Sequence, residues 1–159
     1  MLNQQRRDHQ WITQHIPHQG NMCLLDYVES WDKDTIQCRA SSHRATDNPL
    51  RAYQRLASAC GIEYAAQAMA VHGAVLAPAD STRPKIGYLV SIRSTQLYVA
   101  RLDDIDTDLV VEATSIARND NDVLYQFRVS NEHGQLLLEG RAAVVLNVNA
   151  PSITSGATQ

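Results

Sequence analysis

The segment of residues 56–72, LASACGIEYAAQAMAVH, constrains the fold more than any other part of this chain. It contains no proline and consists mainly of alanine and larger apolar residues, and Gly73 follows where helices commonly end. The pattern predicts a helix of about 17 residues, roughly 26 Å long. Because small and apolar residues fall on every side of it, this helix must be buried and the rest of the chain must surround it.

The remainder of the chain carries the patterns of strands. Apolar side chains at Ile36, Cys38 and Ala40 alternate with polar neighbours, which predicts a strand over residues 36–42. An earlier apolar strand is expected after the Pro/Gly turn of residues 17–20. Further strands are predicted at residues 86–93, 97–101, 109–118, 123–130 and 136–148.

These elements together define the expected fold. Residues 131–134, NEHG, have the composition of a hairpin turn, so the strands on either side are antiparallel neighbours. A single buried helix inside a curved antiparallel sheet is the α+β hotdog fold. We therefore expect one hotdog domain over residues 1–148 and a disordered tail over residues 149–159, which are mostly small and polar.

Composition argues against several classes of function. The formal net charge is −3 at pH 7, so nucleic acid is not an expected partner, because phosphate binding needs a concentrated basic face. No segment approaches the roughly 20 apolar residues that span a bilayer. The 3 cysteines lack a Cys-x-x-Cys pair, and the N-terminal segment lacks the apolar core of a secretory signal. Both features predict a cytoplasmic protein with reduced thiols.

A metal site is not expected. His15 and His18 have a spacing that a metal ion can bridge, but Pro17 interrupts a helical presentation of the two rings. No cysteine or carboxylate nearby completes a familiar ligand set.

Glu63 is the residue that most suggests chemistry. It is the only Asp, Glu, Lys or Arg between Arg55 and Asp80, and it lies in the middle of the predicted buried helix, where an unpaired carboxylate is costly. Gln67, one turn later, is expected to hold the Glu63 side chain, whereas Cys60, one turn earlier, is expected to be a small core residue rather than a nucleophile. The alternative is that Glu63 faces out through a gap in the sheet or caps a buried polar group.

His43 is the second candidate. It lies at the end of the strand predicted at residues 36–42 and precedes an irregular segment at residues 44–55, a position where a rigid element can present a general base. A histidine at a strand end can equally be a solvated side chain, so the residues alone leave its role open.

The order of motifs resembles that of the hotdog-family 3-hydroxyacyl-[acyl-carrier-protein] dehydratases. The motifs are Ile16-Pro17-His18 before Leu24-Leu25-Asp26, a strand that ends in His43, Asn48-Pro49, and Gly61-Ile62-Glu63-Tyr64-Ala65-Ala66-Gln67-Ala68. The resemblance extends from about Trp11 to Val148. The segment NPLR together with the helix motif is most similar to the dehydratase-like members of aryl polyene clusters in Gram-negative bacteria.

The resemblance implies a lyase that forms trans-2-enoyl thioesters without a cofactor. His43 would accept the C2 proton and Glu63 would protonate the leaving C3 hydroxyl. His18, Gln67 and Gly61 would line the substrate site, with backbone N–H groups at the start of the helix binding the thioester oxygen. His18 is also the reserve candidate for the catalytic histidine, because the Pro-His motif matches the family and the segment after His43 departs from it.

The resemblance also implies partners. An acyl carrier protein would deliver the substrate, guided by basic residues near the tunnel mouth. Two hotdog subunits, identical or different, would pair so that the histidine of one meets the carboxylate of the other. The expected guiding residues are Arg51, Arg83, Lys85 and Arg93.

Two other functions remain open. A hotdog thioesterase can use the helix carboxylate alone to activate water or attack the thioester. A noncatalytic hotdog subunit would pair with an active dehydratase and only help to bind the carrier protein. The long segment between His43 and Glu63 motivates this second alternative.

Overall fold

The computed structural model describes residues 7–77 and 86–147. Within these residues, a short helix α1 and a long helix α2 accompany six strands, β1 to β6. The bounds are α1 His9–His15, β1 Tyr27–Trp31, β2 Thr35–Ala40, α2 Gly61–Leu76, β3 Ile86–Leu97, β4 Leu109–Arg118, β5 Asp122–Asn131 and β6 Leu136–Asn147.

The predicted long helix is present, but it begins later than expected. The Leu56 backbone donates its N–H to Asp103 Oδ1 (2.9 Å) and accepts the N–H of Leu102 (2.8 Å). These long-range bonds hold Leu56 outside the helix, and a 3-10 turn over Ser58–Cys60 leads into α2 at Gly61. The start expected at residue 56 is therefore wrong by about one turn.

The predicted end at Gly73 is also wrong. The helix continues through Gly73 to Leu76, because Ala74 and its apolar neighbours are compatible with a helix and one exposed glycine costs only about 1 kcal/mol. Ala77 is extended, with φ −66° and ψ 144°. Pro78 follows it in the sequence, and a residue before proline is disfavoured in the helical region, so the helix stops there.

The six strands form one antiparallel sheet in the order β1-β2-β4-β5-β6-β3. The predicted strand at residues 97–101 is not separate, because β3 extends to Leu97 and the chain then turns away. The expected apolar strand before Val28 is instead a 3-10 turn over Gly20–Met22 and an extended buried segment, with β1 beginning at Tyr27. The turn between β5 and β6 is the predicted hairpin, with Gly134 at φ 83°.

The core lies between α2 and one face of the sheet. Alternate residues of β2, β4 and β5 are buried on that face, as the period-two patterns predict. The helix contributes a broad face to the core, including Tyr64, Ala65 and Met69. This arrangement confirms the predicted α+β hotdog architecture.

One edge of the sheet is exposed and apolar. Strand β3 hydrogen-bonds only to β6, so its other side has no neighbour among the described residues. Four of the six large exposed hydrophobic side chains in the described part of the chain lie on or beside this strand. They are Leu89, Val90, Leu97 and Tyr98.

Some expectations fall outside what the structure describes. The predicted disordered tail, residues 149–159, lies outside the described residues. Within the described ranges, no helix has the length and apolar character to cross a membrane.

Candidate active site

Glu63 lies in the first turn of α2, not in its middle, because the helix begins only at Gly61. Its side chain keeps 35% of its exposure, so the carboxylate is open to solvent on one side rather than enclosed. A negative charge in the first turn also interacts favourably with the helix dipole. The predicted cost of deep burial therefore does not arise, and Glu63 remains accessible to a ligand.

Two side chains of the same chain hold the Glu63 carboxylate. Gln67 Nε2 donates to Glu63 Oε1 at 3.2 Å, as the spacing of four residues predicts. His18 Nε2 lies 3.1 Å from the same oxygen. The result is a cluster of an imidazole, a carboxylate and an amide, which we call the Glu63 cluster.

Gln67 is itself fixed and is fully buried. Its Oε1 accepts the N–H of Leu24 at 2.9 Å, and its Nε2 also donates to the Met22 carbonyl at 2.8 Å. These bonds attach the segment after His18 to the helix, and buried Leu24 and Leu25 complete the attachment. The amide therefore sets the distance between the His18 segment and Glu63.

The His18 ring is half-buried, with 26% of its side chain exposed. Its Nδ1 atom is buried and finds no hydrogen-bond partner among the described residues. His15 faces elsewhere, since its ring stacks on Trp11 and its Nδ1 bonds to the Trp11 carbonyl at 2.7 Å. No group of three or more possible metal ligands occurs in the described part of the chain.

His43 is not brought to Glu63 within this chain. It lies in a 3-10 turn over Ser42–Arg44, just beyond β2, and is fully buried. Its Nε2–H donates to the Ile105 carbonyl at 3.0 Å, and its Nδ1 is buried without a partner in the described residues. Burial lowers the pKa of His43, so the neutral ring is favoured. The imidazole next to the carboxylate is that of His18.

A hydrogen-bonded hub around Tyr64 ties the His43 segment to α2. The Tyr64 hydroxyl lies 2.7 Å from Ser42 Oγ and accepts from Asn48 Nδ2 at 3.1 Å. Asn48 Nδ2 also donates to the Ser42 carbonyl, and Asn48 Oδ1 accepts the Leu50 N–H. One signal for this hub is local, because an asparagine before proline favours such a turn. Nothing local indicated that the Tyr64 hydroxyl would be its partner.

Gly61 is buried where the helix approaches β6. A Cβ atom at this position would lie 2.6 Å from Leu138 Cδ2, and its N–H already donates within the preceding 3-10 turn. Close packing is therefore sufficient reason for a glycine here. Its predicted role in substrate binding stays a prediction.

Cys60 precedes the helix as a partly buried thiol. Its Sγ donates to the Leu50 carbonyl at 3.8 Å, and burial raises its pKa. The thiol form is therefore favoured, which agrees with the expectation that Cys60 is not a nucleophile.

The basic residues expected to guide a carrier protein have different surroundings. Arg51 Nε donates to the Ala45 carbonyl and its Nη1 to the Gln54 carbonyl, so this guanidinium supports the loop. Arg93 is exposed and lies opposite Arg141 on the neighbouring strand. Residues 83 and 85 lie outside the described ranges.

Comparison with known proteins gives one family and several similar folds. A family model described as ApeP-like, ApeP dehydratase, matches residues 10–155. A chain of the dehydratase heterocomplex ApeI:P from Xenorhabdus doucetiae is similar, with a TM-score of 0.79 and 18% identity over 92% of this chain and 97% of that chain. No curated protein sequence matches.

Solved thioesterases also share the fold. A mutant thioesterase from Pseudomonas aeruginosa has a TM-score of 0.61 and 14% identity, covering 92% of this chain and 98% of that chain. A thioesterase from Haemophilus influenzae has a TM-score of 0.58 and 12% identity, covering 85% and 81%. At such low identity these likenesses establish the fold alone.

Proposed function

The chain belongs to the ApeP-like dehydratase family, and we propose that it dehydrates 3-hydroxyacyl thioesters carried on an acyl carrier protein. The product is the trans-2-enoyl thioester, and the pathway is fatty acid-like or aryl polyene biosynthesis. The observation that carries the proposal is the Glu63 cluster, a carboxylate at a helix N-terminus with an imidazole at 3.1 Å.

The chemistry needs one proton accepted and one delivered in each turnover. The C2 proton leaves to a base, and the C3 hydroxyl leaves as water after receiving a proton from an acid. In the proposed cycle the His18 imidazole accepts the C2 proton, and the Glu63 carboxyl group supplies the proton for the hydroxyl. This leaves the proton on His18 and a carboxylate at Glu63, whose Nε2 and Oε1 atoms lie 3.1 Å apart, so one proton transfer between them restores the starting state.

Gln67 acts in this proposal as a positioning residue. Its amide donates to Glu63 and is fixed by the backbone at Met22 and Leu24, which limits the rotation of the carboxylate. A carboxylate held in one orientation needs less reorganisation when it meets the substrate.

The role of His43 as the base stays a prediction. Both of its ring nitrogens are buried, and its Nε2–H is bonded to the Ile105 carbonyl. A proton transfer from substrate to His43 therefore requires the ring to leave that carbonyl. We assign the imidazole of the acid/base pair to His18 for this reason.

We further propose that the chain works paired with a second hotdog subunit. Among the described residues, no strand pairs with the outer edge of β3, and this strand carries exposed apolar side chains, a combination that favours pairing with another strand. The similar dehydratase from Xenorhabdus doucetiae is part of a heterocomplex, which supports pairing with a different subunit.

The experiment that tests the function follows the mass of a carrier-bound substrate. Purified protein, alone and with its hotdog partner, is incubated with a 3-hydroxyacyl carrier protein, and intact mass spectrometry measures the loss of water. We expect loss of water with the wild type and none with Glu63→Gln. Glu112→Gln, on the outer face of β4, is the matched control and should remain active. A substrate of unchanged mass with both wild type and control would refute the proposal.

A thioesterase is the second candidate. The enclosed ring of His43 favours it, because Glu63 alone is sufficient to activate water in a hotdog thioesterase. The same mass experiment separates the two, since hydrolysis releases the free carrier protein and a 3-hydroxy acid, whereas dehydration leaves a lighter acyl group on the carrier.

A further inference from the structure

A tight turn at residues 52–55 interrupts the segment between His43 and α2. Ala52 donates its N–H to the Arg55 carbonyl at 2.9 Å, and Arg55 donates its own to the Ala52 carbonyl at 3.0 Å. Tyr53 and Gln54, the two central residues, have φ of 54° and 64°. Both values are those of a type I′ turn, which strongly favours Asn-Gly at these positions. Here a tyrosine and a glutamine adopt a left-handed backbone instead.

The strained turn places an aromatic ring in solvent. Tyr53 is 97% exposed, so the ring gains nothing from packing within the chain. The strain is maintained by neighbouring bonds, because Arg51 links the Ala45 and Gln54 carbonyls. Strained backbone that serves no internal contact is characteristic of a functional position. Tyrosine is also among the residues that most often dominate binding energy at interfaces.

The surface around Tyr53 is basic. Residues 48–62 contain Arg51 and Arg55 and no acidic residue. Among the described residues, no acid forms an ion pair with either guanidinium. Asp103, which accepts the Leu56 N–H, is already paired with Arg101. Residues 51–55 therefore carry two arginines and no acid on a chain of negative net charge, with Asp47 the nearest acid before them in the sequence.

The turn lies near the start of α2, where Glu63 is located. Leu50, just before the turn, accepts the Cys60 thiol, and Asn48 is bonded to Tyr64. Leu56, just after it, is fully buried. The segment before the turn is thus fixed to the start of the helix and Leu56 after it to the loop at residues 102 and 103, while residues 52–55 are exposed.

We propose that the Tyr53 turn is the docking point for the acidic acyl carrier protein that brings the thioester to Glu63. This inference rests on the proposed function and names the surface that its partner uses. The partner is the carrier rather than a second hotdog subunit, because permanent interfaces are apolar and the apolar surface of this chain lies on β3. A single ring among arginines fits a transient, charge-guided contact.

The test compares two substrates that differ only in the carrier. One is a 3-hydroxyacyl carrier protein and the other the same acyl group on pantetheine. The variant Tyr53→Asn/Gln54→Gly gives the turn its preferred sequence and removes the ring. We expect its melting temperature to rise, while kcat/KM for the carrier-bound substrate falls about tenfold and that for the pantetheine thioester stays within about twofold.

Charge variants supply the second arm. Arg55→Gln should lower kcat/KM for the carrier-bound substrate and weaken its dependence on salt. The matched control is Lys33→Gln, which removes an exposed cation between β1 and β2. Lys33 lies far from the start of α2, because the carbonyl of neighbouring Asp32 bonds to His72 near the other end of that helix.

The possible outcomes are distinct. An equal loss of kcat/KM on both substrates, or no loss on either, would overturn the docking proposal. A change in the oligomeric state of the turn variant would also overturn it, because the turn would then belong to the subunit interface. Failure to dehydrate either substrate in the wild type would overturn the proposed function itself.

Discussion

His18 and Glu63 of one chain form an imidazole–carboxylate pair, with Nε2 and Oε1 separated by 3.1 Å. The resemblance to the dehydratases implies instead that the histidine and the carboxylate come from different subunits. The present pair closes within a single chain, so the proposed acid/base pair needs no residue from a second subunit.

The first prediction concerns this pair. His18→Gln keeps a hydrogen-bond donor near Glu63 but removes the proton acceptor, so kcat for dehydration should fall about 100-fold or more. The pH–rate profile should lose one limb, which a purely structural role would not cause. Steady-state kinetics between about pH 5 and pH 9 measure both effects.

Two further histidine variants make the test specific. His15→Gln is the matched control, because the His15 ring faces Trp11 and should leave kcat unchanged. His43→Gln should reduce the free energy of unfolding and leave the shape of the pH–rate profile intact. If the pH–rate profile loses a limb in His43→Gln and stays normal in His18→Gln, His43 is the base instead of His18.

The spacing of residues along the helix is sufficient to predict one of the two contacts in the Glu63 cluster, that between Glu63 and Gln67. Gln67 follows Glu63 by one helical turn, so their contact is determined by helix geometry alone. The contact with His18 joins residues that are far apart in sequence, and it depends on where Gln67 fixes the Met22–Leu24 segment. No local pattern contains that information. The resemblance makes His18 a pocket-lining residue and the reserve candidate for the catalytic histidine, without predicting its contact with Glu63.

The start of α2 at Gly61, rather than at residue 56, also depends on contacts between residues far apart in sequence. Residues 56–60 have helical composition, but the Leu56 backbone is bonded to the loop at Leu102 and Asp103. A tertiary contact therefore overrode local propensity. The strands with alternating apolar and polar residues are easier to predict, because successive side chains point to opposite faces of the sheet and the apolar ones mark the buried face.

The second prediction concerns stability and pH. Burial lowers the pKa of His72, whose Nε2–H donates to the Asp32 carbonyl while its Nδ1 accepts from the Tyr125 hydroxyl. The unfolded chain binds a proton at this residue from about pH 6.5 downwards, before the folded chain does. The His72 contribution to the free energy of unfolding should therefore be fully present above that pH and decrease as the pH falls towards the lowered pKa.

Urea unfolding at about pH 7.5, 6.5 and 5.5 measures this slope, with an upper limit near 1.4 kcal/mol per pH unit for each such group. His43 contributes in the same direction, because burial also lowers its pKa. His72→Gln should show a shallower slope than the wild type. An unchanged slope in that variant would exclude His72 as a source.

The third prediction compares two glycines of one helix. Gly61→Ala should reduce the free energy of unfolding by about 1–3 kcal/mol, because its Cβ would overlap with the fully buried Leu138 side chain. Gly73→Ala should increase it by about 0.5–1 kcal/mol, because no atom lies within 4 Å of the added Cβ and alanine favours the helix. Chemical denaturation checks both, and equal effects at the two positions would contradict the packing of α2 on β6.

The fourth prediction concerns the exposed edge of β3. Val90 is 59% exposed in the single chain, so Val90→Glu should not disturb the subunit's own core. If the edge pairs with a second hotdog subunit, the new carboxylate is buried without a partner, and the assembly should dissociate. Ile116→Glu, on β4 and 42% exposed, is the matched control and should assemble normally.

Light scattering after size-exclusion chromatography measures the mass of each variant, alone and in the presence of the other hotdog subunit. A dimeric wild type and control with a monomeric Val90→Glu would identify β3 as the pairing edge. If Val90→Glu keeps the wild-type mass in both conditions, the subunits meet elsewhere, and the apolar side chains of β3 need another explanation. Circular dichroism of the variant checks that its fold is retained, because an unfolded chain would also fail to assemble.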